Sequence, residues 1–202
     1  VSTLHGQEWE ASLYLSGHIW ASINETVIAA KEGMDWLQKC SRILAGENLP
    51  TMWTTLDGLP VLQHYPNTSR HRIKTKFGDK QIYVSLREEL QEIDKRKQAN
   101  SISPNWVHAN DGCHLRMTVN LAAANGVGSF AMIHDSFGTH AADVPMLNAC
   151  LREAFIELYL DNDPLQMFRD ETQLLTTTAL PSMPKKGELD LTAVRESEFF
   201  FA

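Results

Sequence analysis

The 202 residues are 43% hydrophobic and 21% charged, an ordinary globular composition with length enough for a sizeable core. No apolar run is long enough to span a membrane, and no basic segment leads into an apolar stretch as a secretory signal would. The formal net charge of −7 argues against a nucleic-acid partner until the charge is located. Residues 143–202 hold eleven acids against five Lys/Arg, whereas residues 66–80 hold five bases against one acid. Local field, not net charge, governs contact with a phosphate backbone.

Three cysteines, Cys40, Cys113 and Cys150, without paired spacing suggest reduced thiols in an intracellular protein. His108, Cys113 and His114 are close enough to raise a zinc site, but no second cluster stands at zinc spacing, which disfavours it. The chain opens on Val1, which fits a processed or partial product.

From Gln7 to Ala45 the pattern predicts one long helix. Trp20, Ile23, Val27, Ala30, Met34, Leu37, Ser41 and Leu44 alternate three and four apart, the spacing of one buried stripe. Gly17 and Gly33 are the places where it would break or pack closely. Gly46 and Pro50 end it. Residues 52–65 then read as strand, Asp57-Gly58 turn and strand.

Next comes the basic stretch. Arg70, Arg72, Lys74 and Lys76 alternate with His71, Ile73, Thr75 and Phe77, so the four bases share one strand face. Gly78-Asp79 makes a turn, and Lys80-Gln81-Ile82-Tyr83-Val84 returns. A two-stranded ribbon fits the major groove of duplex DNA, where Arg, Lys and Gln read base edges. The competing reading is a solvated edge hairpin whose lysines block aggregation. Four bases on one face with almost no acid among them weigh against it.

Residues 87–100, with four acids and four bases, read as a short exposed helix held by i,i+4 pairs. Asp111 is expected to cap a helix running from Cys113 to about Ala124, with His108 just before the cap. Asn125-Gly126 and Gly128 lead into an apolar strand, Phe130–Ile133, that ends on His134-Asp135. A hairpin there presents Asp135 at its tip on a rigid support, which suits a carboxylate gripping a divalent ion. Two other readings are a solvated turn and a hydrolase triad of His134, Asp135 and Ser136. Adjacent strand residues point to opposite faces, so these three cannot form a Ser-His-Asp chain.

Asp143 is expected as the N-cap of a helix with Pro145 in its first turn. Leu147, Cys150, Leu151, Ala154, Phe155 and Leu158 form its buried face. A second helix begins near Pro164 and ends at Pro181, Pro184 and Gly187, and Asp190 starts a final short one. The chain finishes Glu198-Phe199-Phe200-Phe201-Ala202, a run that would ordinarily be a frayed, sticky tail.

His134-Asp135-Ser136-Phe137-Gly138-Thr139 resembles the third polymerase motif of the single-subunit, phage-type RNA polymerases, which include the mitochondrial enzymes. Further matches run along the chain. They are Gly17-His18-Ile19-Trp20 through Met34-Asp35-Trp36-Leu37, then Trp53-x-Thr55, Gly58-x-Pro60-Val61 and Gln63-x-Tyr65. Pro104-Asn105-Trp106-x-His108-x-x-Asp111-Gly112-x-His114-Leu115 and the aromatic-Ala end complete them. Repair-type DNA polymerases of the bacterial kind carry Glu where Ser136 stands.

The resemblance implies an α+β fold: a polymerase palm, with a hairpin carrying the catalytic aspartate and covered by helices. It divides the chain into 1–50, a helical segment following the fingers, 51–100, a basic specificity-loop hairpin with its flank, and 101–202, the C-terminal palm with a terminal foot. Asp135 is then one of two aspartates holding two Mg2+ ions, this chain supplying one ligand. His134 sits beside the growing RNA end, and His108 faces nucleic acid near the active site. By position the hairpin of Arg70, Arg72, Lys74, Lys76, Lys80 and Gln81 resembles the loop that recognises promoter DNA. Its letters depart strongly from the better-known members, so no base contacts are assigned. Phe201, Ala202 and the terminal carboxylate are implied to tuck toward the active site.

The family's first aspartate, its fingers lysine and tyrosine and its N-terminal promoter-binding domain have no match here. The expectation is therefore a C-terminal part or subunit of a DNA-directed RNA polymerase, inactive alone. Its partners would be an upstream polymerase polypeptide, template and promoter DNA, RNA product and NTPs. The host-cell cytoplasm is implied for a phage source and the mitochondrial matrix for an organellar one. The alternatives are a catalytically silent DNA-binding remnant and the palm of a repair-type (A-family) DNA polymerase.

Overall fold

Asp94 accepts a hydrogen bond from the Lys97 amide at 2.9 Å and starts the longest element, α3, Lys95–Ala124. The computed structural model describes residues 6–200, and the fold is α+β. The other α-helices are α1 (Glu8–Thr26), α2 (Ile28–Gly46), α4 (Val144–Ile156) and α5 (Pro164–Leu175). Three separate antiparallel hairpins complete it: β1–β2 (Thr51–Thr54, Pro60–Gln63), β3–β4 (Pro66–Phe77, Lys80–Ile93) and β5–β6 (Ala131–Ile133, Ser136–Gly138).

The single N-terminal helix expected over Gln7–Ala45 is two helices, and the break is at Val27 (φ −113°, ψ 54°) rather than at either glycine. The stripe also divides. Leu37, Ser41 and Leu44 are buried and Met34 is half-buried, but Trp20, Ile23, Val27 and Ala30 are exposed. α2 packs extensively on α3, whereas α1 makes its main contact, a slight one, with α2. The apolar periodicity was real, but among the described residues nothing covers its first half.

One core joins α2, β1, α3 and α5 through Trp36, Leu37, Cys40, Trp53, Ile102 and Phe168. Phe168 meets Trp36 and Trp53 edge-on, at ring separations of 5.9 and 5.8 Å. A polar layer flanks it. Gln98 on α3 exchanges hydrogen bonds with Gln63, whose side chain donates to the Gln98 carbonyl at 2.7 Å.

α3 overturns two expectations. Residues 87–93 belong to β4, not to a short helix, with Glu88 opposite Ser69 and Ile93 opposite Pro66. Asn48, at φ 61°, holds that strand end by accepting from the Ile93 amide at 2.8 Å and donating to the Gln91 carbonyl. Asp111 is no cap either: it lies inside the continuous helix, which also runs through Pro104. The boundary at residue 100 falls within α3 as well. α3's periodicity was masked because its buried stripe is largely polar, with Gln98, Ser103, Asn110, His114 and Thr118 among the apolar residues.

After α4, which one π turn extends to Asp161, Asp163 caps α5 by accepting from the Gln166 amide at 3.1 Å. Asp143 holds the N-cap position of α4 but makes no side-chain capping bond. On α4's face Leu147, Cys150, Leu151, Ala154 and Leu158 are buried and Phe155 is half-buried. α5 stops at Leu175, well before Pro181, because Thr176 turns extended and its hydroxyl donates to Glu47 at 2.8 Å. The following chain stays irregular, with Trp36 Nε1 donating to the Pro181 carbonyl at 3.0 Å. Asp190 then caps a short 3-10 turn, Leu191–Arg195.

Candidate active site and nucleic-acid interface

The hairpin β5–β6 has a two-residue turn, His134-Asp135, with His134 at φ 54° in the left-handed region. That conformation is costly for a residue with a Cβ and is kept where the surroundings enforce it. The enforcement is visible. Ala122, Val127, Leu147 and Cys150 form a second core beneath the hairpin, against which Phe130, Met132 and Phe137 pack. Thr139 Oγ1 donates to the Ser129 carbonyl at 2.7 Å and closes the base. Gly138 faces Ala131 across the strands so closely that a Cβ would lie 3.0 Å from the Ala131 carbonyl oxygen. Asp135 is thus an exposed carboxylate on a braced support. Beside it a cavity of about 550 Å³ opens between β6 and α4, lined by Ser136, Thr139, Leu147 and Asn148 among others.

α3 passes behind this turn. Burial raises the Asp111 carboxyl above its usual range, and the charge of Asp135 raises it further, while His108 and His114 oppose the shift. His108, exposed on α3, lies along a groove between that helix and β2. The buried His114 ring is pushed below its ordinary pKa by burial, and its Nε2 is 2.9 Å from the Leu151 carbonyl oxygen. It meets Phe137 of the hairpin at a tilt and Phe155 of α4 edge-on, both at ring separations of 5.7 Å. Tyr159 beside Phe155 has its phenol pushed up to about 12, first by burial and then by Asp111.

The same aromatic chain reaches the tail. Phe200 meets Phe155 edge-on at 5.2 Å. Arg152, nearly buried on α4, donates to the Val194 carbonyl and, at 2.8 Å, to the Ser197 carbonyl, and lies over the Phe200 ring. Glu153 grips Arg195 through two bonds of 2.8 and 2.7 Å. The tail from 194 to 200 is therefore fastened to the helix that supports the hairpin. Phe201 and Ala202 lie outside the described residues. Sequence reasoning singled out neither Arg152 nor the bracing role of His114. The one signal for Arg152 was a cation between Leu151 and Ala154 on an otherwise apolar helix face.

On the basic ribbon β3–β4 the register decides which side chains share a face. Arg70 stands opposite Arg87, Arg72 opposite Ser85, Lys74 opposite Tyr83 and Lys76 opposite Gln81. Five cations and Gln81 therefore lie together, and the Arg72 guanidinium sits 4.3 Å from the Tyr83 ring centroid. Arg87, assigned only to the charged run, joins this face. Lys80 does not: it stands opposite Phe77 and leaves the ribbon on the other side.

Asp135 offers a hard oxygen donor of the kind Mg2+ takes. Among the described residues no three His, Cys, Asp or Glu side chains gather to hold a metal ion. No helix among the described residues is long and apolar enough to cross a membrane.

A braced, exposed carboxylate on a chain that also carries a long basic ribbon fits an enzyme that works on nucleic acid. The family model for DNA-dependent RNA polymerase matches residues 2–177, and the chain belongs to that family, the single-subunit, phage-type RNA polymerases. It is 41% identical over 194 residues to chloroplastic DNA-directed RNA polymerase 3 of Nicotiana sylvestris, covering 95% of this chain and 19% of the relative. It is 38% identical over 191 residues to mitochondrial DNA-directed RNA polymerase 1 of the same plant, covering 95% and 19%. The DNA-directed RNA polymerase of Enterobacteria phage K11 is 37% identical over 212 residues, covering 96% and 23%. The chain thus spans about a fifth of the length of these relatives.

Proposed function

We propose that this chain is the part of a DNA-directed RNA polymerase that brings Asp135 to the active site, and that it polymerises only together with the upstream polypeptide. The observation that carries this is the Asp135 turn, exposed at its tip and braced at its base by Gly138, Thr139 and the Phe137–His114 contact. A reactive carboxylate needs such a support, because a ligand that wanders loses its geometry.

Asp135 would hold Mg2+ jointly with a carboxylate from the upstream part. The bound metal would supply charge neutralisation at the transferring phosphate and a more acidic RNA-end hydroxyl. His134 extends from the same turn and would hydrogen-bond the RNA end. Asp111 adds negative field behind Asp135. With its own carboxyl raised, Asp111 carries a proton to higher pH than an exposed aspartate would. The basic face of β3–β4 would run along the phosphates of the template and promoter duplex, and its Gln81 and arginines are able to read base edges. His108 would contact nucleic acid along α3.

The test is reconstitution. Template-directed ribonucleotide incorporation with magnesium is expected when this chain and the upstream polypeptide are mixed, and with neither alone. Turnover by this chain alone would defeat the proposal.

A further inference from the structure

The ribbon β3–β4 has a second face. Opposite the cations, the register groups Ile73 with Val84, Thr75 with Ile82, His71 with Leu86 and Phe77 with Lys80. Ile73, Phe77, Ile82, Val84 and Leu86 are between 39% and 80% exposed. Polar groups close this apolar patch at both ends, His71 with Glu88 at 3.2 Å toward the base and Lys80 at the tip. A two-stranded ribbon of this length is marginal in water without something on its apolar side. A contiguous apolar patch with a polar rim is the signature of a protein contact.

We infer that this face docks on an apolar surface of the upstream polymerase polypeptide, so that the ribbon is held between protein on one side and nucleic acid on the other. The inference rests on the polymerase reading and adds which side of the ribbon meets protein. Three observations select the occupant. The chain spans about a fifth of its relatives' length, so most of a polymerase of this kind lies outside it. α1 buries no side chain among the described residues and exposes Trp9, Leu13, Trp20 and Ile23, a second uncovered apolar surface on the same chain. The back face carries a single lysine, Lys80, at its tip and the His71–Glu88 pair toward its base, with apolar side chains and Thr75 between them, so it offers a phosphate backbone almost nothing.

The test attaches an environment-sensitive dye at Val84→Cys on the back face and, separately, at Lys74→Cys on the basic face. The native cysteines are buried, so each introduced thiol reacts alone. The Val84→Cys dye is expected to shift blue on adding the upstream polypeptide and to ignore a random-sequence duplex. The Lys74→Cys dye is expected to do the reverse. Ile73→Thr with Val84→Thr, which keeps β-branched residues in the strands, should weaken association with the upstream polypeptide about tenfold or more while duplex binding holds. A back-face dye that answers to the duplex would overturn the inference. So would self-association of this chain that the paired threonines abolish. Failure of the two polypeptides to associate at all would instead sink the polymerase reading.

Discussion

His114 and Asp57 show how single side chains set the chain's response to acid. The His114 ring is buried against Phe137 and Phe155, and burial keeps it neutral below its ordinary pKa of 6.5. The unfolded ring still titrates near 6.5, so the unfolded state binds more protons as pH falls. The His114 contribution is complete above that pH and is lost on acidification. Asp57 is held well below the usual carboxylate range, chiefly by its paired bonds with Arg116. Its contribution has the same sign but a lower window, lost only below about pH 4. Urea titrations across pH should therefore show stability falling in two stages, with His114→Gln removing only the upper one. Asp57→Asn should cost about 1–2 kcal/mol at neutral pH, the low end for a charged hydrogen-bonded pair because Arg116 is partly exposed. At Gly138, alanine would press on the Ala131 carbonyl. Gly138→Ala should cost about 1–3 kcal/mol, and incorporation by the reconstituted enzyme should drop, as the Asp135 turn shifts.

At the scale of elements, the ribbon's register makes neighbouring lysines unequal. Lys76 shares a face with Arg72, Lys74 and Gln81, whereas Lys80 leaves on the other side. Removing Lys76 should reduce the salt dependence of duplex binding by about one in log–log slope, and removing Lys80 should change it far less. Binding isotherms from 50 to 200 mM salt separate the two, with salt in that range as the variable that counterion release predicts. The ribbon was legible because period-two alternation survives in a strand exposed on both faces, and Gly78-Asp79 marks its turn. The Asp135 hairpin was legible for a similar reason, an apolar run ending on polar residues. α3 was not, because half of what it buries is polar and hydrogen-bonded, so hydrophobic spacing reports nothing there. Residues 87–93 misled in the opposite way: charges at helical spacing sit on a strand whose partner lies about twenty residues earlier in the chain.

For the whole molecule, the second core and a fastened tail converge on one turn. Residues 194–200 are tied to α4 by Arg152 and Glu153, α4 to α3 through Phe155 and His114, and α3 to the hairpin through Phe137. That helices cover the hairpin and that the chain end turns back toward it was implied by the resemblance, but the side chains that make these ties were not legible, because each joins elements far apart in sequence. The uncovered apolar surfaces of α1 and the ribbon are the ones that the proposed contact with an upstream polypeptide would cover. The reconstituted enzyme is therefore the right object for the decisive measurement, which compares native chain with Asp135→Asn in magnesium-dependent ribonucleotide incorporation on a template. Both forms should bind the upstream polypeptide equally, because Asp135 is exposed and supports no packing. Incorporation should fall at least about a thousandfold in the variant if Asp135 is a metal-binding carboxylate of the reaction. Incorporation by Asp135→Asn within a few-fold of the native complex would contradict the account and leave the hairpin a structural turn.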